Sequence, residues 1–369
     1  MKKVGILTLS ASDNCGSLLQ TYALQEYLRQ HGLEVKIIDF TTDESKNLYA
    51  LIPAKPFEHP KRLLFSLCHY GTNKRQKDDY DEYRRNNLNL TKKSCDNSGE
   101  LEAILNEEKF DAIVCGSDQI WNLEMYDYSD CFFLPFQTKC KKIAYAPSLG
   151  GMRDIPEVKL AEVKEWVDDF DKVSVREPSG ALTLKQDLNV NAPVLCDPTL
   201  LHNKLFWENE AGSRLVDEPY IFYYSWAYSD FAMNKIVQDF SEKTGLKVYV
   251  INSSKWYNYR PDDFDFRLFE KSGPDAFLNL MANSEYAFVQ SFHGAVFAHI
   301  FEKDFCFLNE QIGTVDFRAE NFLRMIDSSD RIVHTYSDVG KVLGLQRSAN
   351  NEVLCELVNK SKTYLDECF

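Results

Sequence analysis

The chain has 369 residues, too many for one ordinary core and about right for two domains. Its 44% hydrophobic and 27% charged residues are the composition of a soluble globular protein, and no apolar run approaches the roughly 20 residues that span a bilayer. A formal charge of −14 argues against nucleic acid as the main partner, because no net positive field gathers phosphates.

The opening MKKVGILTLSASDN alternates into Ser and Asp and has no small-residue cleavage pattern, so it reads as a first strand and not as a signal peptide. That strand covers residues 4–9, followed by a polar loop at 10–16 and a helix at 17–31 that Gly32 ends. A second strand follows at 33–40, and this opening indicates a parallel sheet with crossover helices. Residues 43–95, with Pro53, Pro56 and Pro60 and a charged helical stretch, read as a helical insertion at the rim. Regular alternation resumes with a helix at 101–108 and strands at 110–115, 142–146, 172–175 and 193–195. Helices at 158–170 and 181–188 lie between them.

Residues 202–219 read as a linker. A second set follows: strands at 220–224, 246–252, 286–289 and 305–308, and helices at 230–244, 274–283 and 351–365. The expected fold is α/β, with two doubly wound Rossmann-like domains facing across a cleft, as in the GT-B arrangement. The first domain spans 1–205 and carries the insertion; the second spans 206–369 and carries the C-terminal helix. Ten cysteines without a CxxC pair give neither a zinc site nor a disulfide framework, so a reducing cytoplasm is the simplest home. Neither an HExxH pattern nor a DxD in a suitable loop is present to imply a metal, Asp168-Asp169 and Asp262-Asp263 reading as ordinary charged surface pairs, and no cofactor is called for.

The segment VQSFHGAVFAHIFEK, residues 289–303, says most about function. It reads as strand, tight turn and helix, with Ser291, His293 and Gly294 at the junction, where α/β proteins place ligands. A helix N-terminus favours an anion, and His293 is a titratable group beside it. The plainer alternative is a satisfied histidine at a strand–helix junction.

Six stretches occur in the order of a known family: NCGSLLQTYALQEYL from residue 14, CGSDQIWN at 115–122, YAPSLG at 145–150, SVREPSG at 174–180, CDPTL at 196–200, and the run from Gly273 to SFHG at 291–294. Together they resemble the polysaccharide pyruvyl transferase family over roughly residues 1–345. Cys15 stands where the family usually has an aromatic residue, and Gln290 where Thr is common. The resemblance implies transfer of a pyruvyl group from phosphoenolpyruvate to sugar hydroxyls, usually as a cyclic ketal.

That chemistry needs cations and N–H donors for a phosphate and a carboxylate. It also needs one proton delivered to the enol carbon and one taken from the attacking hydroxyl. On the resemblance, His293, Arg176 and Asp118 are the catalytic candidates. Arg176, Ser291, His293, Gly294, Lys303 and Arg318 are expected to bind the donor. For Arg176 the alternative is a salt bridge to Glu177 or a helix cap, and for Lys303 a solvated lysine. Acceptor contacts are expected from Asn14, Gly16, Gln20, Ser117, Gln119, Trp121 and Asn122. Asn14 can instead cap the helix, and Trp121 can instead be buried, closing its loop. Asp197 reads as a turn-former. The partners expected are phosphoenolpyruvate and a sugar or glycan. Peripheral membrane contact is compatible with the basic residues around Lys61-Arg62 and Lys74-Arg75 if the acceptor is lipid-linked. The competing reading is a glycosyltransferase with a nucleotide-sugar donor, and a further one is a non-catalytic carbohydrate-binding relative.

Overall fold

The computed structural model of the chain describes residues 1–53, 55, 57–58, 60–225, 228–251, 254, 256, 258–309, 316–343 and 352–369. Pro56, the strand end expected at Asn252 and the helix start expected at Asn351 lie outside them.

The chain divides into two compact units. One comprises Met1–Tyr49, Arg84–His202 and Glu352–Phe369; the other comprises Ala50–Tyr83 and Asn203–Asn351. In the first unit lie β1 (Lys3–Leu7), β2 (Glu34–Phe40), β3 (Leu90–Cys95), β4 (Ala112–Cys115), β5 (Lys141–Ala144) and β6 (Lys172–Val173). They form one parallel sheet in the order β3-β2-β1-β4-β5-β6. In the second unit lie β7 (Tyr220–Tyr224), β8 (Lys247–Val250), β9 (Phe266–Leu268), β10 (Tyr286–Val289), β11 (Asp304–Leu308) and β12 (Ile332–Val333). This sheet is also parallel, in the order β12-β11-β10-β7-β8-β9.

Counted from its own first strand, each sheet has the doubly wound order 3-2-1-4-5-6. The order reverses between β1 and β4 in the first unit and between β7 and β10 in the second. The central strands are buried along their length, as in AIVC of β4 and YIFYY of β7. Parallel strands covered on both faces require that near-continuous apolar character.

Five elements differ from the sequence reading. β3 lies inside the stretch read as insertion; its LTKKSC is mostly polar because it is an edge strand. Residues 193–195 make only a single bridge, Val175 to Val194, and not a strand of their own. The expected linker contains the helix Lys204–Ala211, whose buried Trp207 packs edge-on against Phe297 at 4.8 Å. The C-terminal helix, Glu352–Asp366, belongs to the first unit and not to the second half. There Ser361 Oγ accepts the Cys196 N–H at 2.8 Å, and the Tyr364 hydroxyl donates to Ala144 O at 3.1 Å. The inserted helix Pro60–Cys68, expected with the N-terminal half, belongs instead to the second unit, where Phe65 packs against the core.

Candidate active site

In the first unit the strand-order reversal sits beside the loops that follow β1 and β4. Helix Cys15–Gln30 begins after the β1 loop, capped by Asn14, whose Oδ1 accepts from Gly16 N at 2.9 Å and Ser17 N at 3.4 Å. Asn14 and the Gly16 amide, expected to meet an acceptor, thus satisfy the helix start.

The β4 loop is held from several sides. Gly116 has φ +126°, and a Cβ there would lie 2.1 Å from the Tyr145 carbonyl, so only glycine fits. Ser117 is fully buried; its hydroxyl donates to Ala146 O at 2.7 Å, and its N–H donates to Gln20 Oε1 at 3.1 Å. The Gln20 amide nitrogen donates to Thr8 Oγ1 and Ser17 O, both at 3.0 Å. Gln20 and Ser117 are therefore spent on each other and on the backbone. They brace the loop and offer no group to an acceptor.

Their effect is to present Asp118. It is a non-glycine residue at φ 69°, buried to 4% exposure. Ser17 Oγ donates to its Oδ2 at 2.5 Å, and Gln119 N–H donates to its Oδ1 at 2.8 Å. Trp121 is buried, stacked on Phe133 at 4.9 Å, and its indole donates to Phe132 O at 3.3 Å. It closes the loop from within, the alternative to stacking on a sugar. Gln119 and Asn122 pair at 3.2 Å and stay half-buried; a Cβ on Gly150 would come within 2.8 Å of both amides.

Arg176 follows β6 and is buried. Its Nε donates to Glu177 Oε1 at 2.7 Å and its Nη1 to Asp197 Oδ2 at 2.9 Å. The Glu177 salt bridge offered as the alternative is therefore present, extended by a second carboxylate. Burial works against the charge of this guanidinium, but Glu177, Asp197 and Asp118 outweigh it and hold the pKa above the ordinary arginine value. Asp197 also accepts from Thr199 N at 3.1 Å, so it fixes its turn as well.

The second unit repeats the arrangement at β10. Gln290 leaves the strand with its N–H on Tyr224 O at 3.0 Å. Ser291 then caps helix Phe292–Ile300, accepting the Gly294 N–H at 3.0 Å. Ser291 and Gly294, expected as donor contacts, thus spend these groups on one another. Gly294 is helical, and the space for a side chain is tight: a Cβ would stand 2.9 Å from Ser291 Oγ and 3.0 Å from Val289 Cβ. His293 lies in the first helical turn, 7% exposed, its ring edge-on to Phe292 at 5.0 Å.

Of the other donor-side cations, Lys303 is corrected and Arg318 is found paired. Lys303 immediately precedes β11 and donates to Ser284 O at 3.0 Å, just ahead of β10. It stands at the start of the strands, a helix length of about 13 Å from His293, so it cannot share its site. Arg318 opens helix Phe317–Met325 with both ends of its fork on Asp316, at 2.9 and 2.5 Å, as Arg176 has its own fork on two carboxylates.

Sequence reasoning missed Ser17, the partner of Asp118, and Asp127. Asp127 is buried and lines a small hollow with Ser12, Phe40, Thr42, Ser45 and Phe132 at the ends of β1 and β2. Burial raises its carboxyl pKa, and Asp118 raises it further, against hydrogen bonds from its own backbone and from Ser45. No motif marks it.

A model of the family described as polysaccharide pyruvyl transferase matches residues 14–311. No curated protein matches the chain at a significant level. Among solved structures, the UDP-GlcNAc 2-epimerase of Methanocaldococcus jannaschii is similar at TM-score 0.57 and 13% identity, over 99% of this chain and 100% of that one. The enzyme of the same name from Rickettsia bellii gives 0.55 and 10%, over 100% and 95%. That of Neisseria meningitidis, bound to UDP-GlcNAc, gives 0.52 and 10%, over 100% and 99%. At these identities the likeness shows the fold, two Rossmann-like units of the GT-B kind, and nothing about substrate.

Proposed function

Because the chain belongs to the polysaccharide pyruvyl transferase family, we propose that this transferase moves the pyruvyl group of phosphoenolpyruvate onto two hydroxyls of a glycan or lipid-linked sugar, in the cytoplasm. One observation carries the assignment of residues. Asp118 and His293 each follow the strand at which the order of their own sheet reverses, where doubly wound proteins bind ligands.

In the proposed reaction the first sugar hydroxyl loses its proton and adds to C2 of phosphoenolpyruvate as the methylene carbon takes a proton and becomes a methyl group. The C–O bond to phosphate then breaks, the phosphate leaving with the bonding pair and an oxocarbenium centre remaining. The second hydroxyl closes on that centre and loses its proton, which balances the charge of the released inorganic phosphate. Asp118, held at both oxygens, is suited to take a hydroxyl proton. His293 is suited to give the proton to the methylene carbon. Arg176, with Nε and Nη1 on Glu177 and Asp197, which offset its charge, meets the donor's anionic groups in this reading by exchanging part of that pairing for them. Of the partly exposed acceptor candidates, Asn14 caps a helix, which leaves Gln119 and Asn122 for the acceptor.

A second reading, glycosyl transfer from a nucleotide sugar, is favoured by the fold alone, since the Neisseria meningitidis enzyme is bound to UDP-GlcNAc. Thermal melting separates the two. A ligand that binds only the folded state raises the melting temperature. Phosphoenolpyruvate is expected to do so and UDP-GlcNAc is not. The reverse result would move the assignment to glycosyl transfer. Release of inorganic phosphate on adding candidate glycans then identifies the acceptor.

A further inference from the structure

The inserted helix Pro60–Cys68 turns Phe65 toward the core of the second unit and buries Ser66. Its other side is apolar as well. Leu64 is 64% exposed and Leu67 55%, and Phe57, just before the helix, is 92% exposed. Ile52 and Tyr70, on either side, are each 42% exposed. Elsewhere among the described residues, large apolar side chains are exposed singly along the chain. Hydrogen bonds from His69 N to Phe65 O and from Asn73 N to His69 O carry the helical path into Tyr70–Asn87. Lys61, Leu64, Leu67, Lys74 and Arg75 are thus exposed at helical spacing.

The charge of this segment opposes that of the whole. Residues 55–77 hold six cations, Lys55, Lys61, Arg62, Lys74, Arg75 and Lys77, against one anion, Glu58, in a chain of net charge −14. The acidic run Asp78, Asp79, Asp81 and Glu82 begins beyond it. Two of the ion pairs its residues make, Lys55 with Glu58 at 3.4 Å and Lys74 with Asp78 at 2.6 Å, are solvent-exposed and weak enough to exchange for another anion.

We propose that this face docks on an anionic lipid surface, with Phe57, Leu64 and Leu67 entering the headgroup boundary and the lysines and arginines on lipid phosphates. An apolar stripe flanked by Lys and Arg is what lies in a membrane interface, each basic residue adding attraction to anionic lipid. A second copy is the poorer occupant, because an isologous contact would set two basic segments against each other. The contact proposed is a peripheral one; no described helix is long and apolar enough to cross a membrane. The proposal goes beyond pyruvyl transfer and does not rest on it; its failure would leave the donor assignment untouched.

The test is co-sedimentation of the full chain with vesicles of phosphatidylcholine alone and of phosphatidylcholine doped with phosphatidylglycerol. Binding is expected only to the anionic vesicles, falling as salt is raised. Leu64→Ser with Leu67→Ser is expected to lower partitioning by on the order of tenfold or more, and Lys61→Glu with Arg75→Glu to abolish the preference for anionic lipid. Leu215→Ser with Val353→Ser, exposed positions elsewhere, should change nothing. Absence of binding to anionic vesicles, or equal binding by all variants, overturns the proposal. So does a concentration-dependent dimer that Leu64→Ser with Leu67→Ser removes, which would assign the face to a second copy.

Discussion

Arg176 meets Asp197 at 2.9 Å, with side-chain exposures of 3% and 0%, so the contact is a fully desolvated ion pair. Glu177 completes it from the other side of the guanidinium at 2.7 Å. Removing the arginine strands two carboxylates, and breaking a buried pair costs about 3–5 kcal/mol. Arg176→Ala is therefore expected to melt at a clearly lower temperature, whatever its effect on the donor. The informative variant is Arg176→Lys, which keeps the charge and loses the fork. Its KM for phosphoenolpyruvate is expected to rise by roughly tenfold, a loss of ~1.4 kcal/mol. A folded Arg176→Lys with unaltered KM would remove Arg176 from donor binding.

How much of this could be read in the sequence follows from what travels along a chain. The central strands were legible because a parallel sheet covered on both faces must be apolar throughout, as in AIVC and YIFYY. The edge strand Leu90–Cys95 was not, since one side of it faces solvent and LTKKSC resembles a loop. Glu177 as a partner of Arg176 was legible as a neighbour. Asp197 reaches the same guanidinium only through the fold. Ser17 and Asp118, 101 positions apart, meet because β1 and β4 are adjacent in the sheet, a fact of topology. The C-terminal helix shows the same limit: its apolar side identified a helix but not the sheet it covers.

His293 is expected to be indispensable to turnover and dispensable to folding. His293→Gln keeps the volume and a hydrogen-bonding end but cannot shuttle a proton near neutral pH. Loss of general acid catalysis typically costs 10²–10⁴-fold, and kcat for phosphate release should fall within that range. The melting temperature should change little, because no core is opened. Wild-type turnover in His293→Gln would take histidine out of the mechanism.

Two glycines are expected to fail for different reasons. At Gly116 the positive φ and a Cβ 2.1 Å from the Tyr145 carbonyl act together, and backbone cannot yield as a side chain can. At Gly294 the helix would gain about 1 kcal/mol from alanine. The new methyl would press on Ser291 Oγ and Val289, and such overpacking costs about 1–3 kcal/mol. Gly294→Ala is expected to be mildly destabilised and Gly116→Ala severely so, by denaturant titration. Equal stability of the two would contradict the contacts described.

Asp127 gives stability a pH dependence of stated sign. Burial, reinforced by Asp118, raises its carboxyl pKa in the folded state. The folded chain therefore holds this proton to higher pH than the unfolded chain does. Stability from this group is lost as pH rises from the ordinary carboxylate range through the folded pKa. Asp127→Asn removes the titration. The variant should melt above wild type near neutral pH, with the difference closing as pH falls toward 4. A difference that does not vary with pH would show that Asp127 carries no such penalty.

Ser17 is expected to act on the reaction only through Asp118. Its hydroxyl donates to Oδ2 at 2.5 Å, while Oδ1 takes the Gln119 amide. The carboxylate is thus fixed in a loop already tied to Gln20, Ala146 and Ser148. Ser17→Ala leaves one oxygen of a buried acid without this donor, at a cost of about 1–3 kcal/mol in stability. If Asp118 is the base, a misaimed carboxylate lowers kcat and leaves the KM for phosphoenolpyruvate unchanged, because the donor's anions are met elsewhere. Ser17→Thr restores a hydroxyl at the same point of the helix and should recover most of the loss. A purely structural serine would lower stability and leave kcat of the folded fraction at the wild-type value. Steady-state phosphate release by the three proteins, corrected for folded fraction, separates those outcomes.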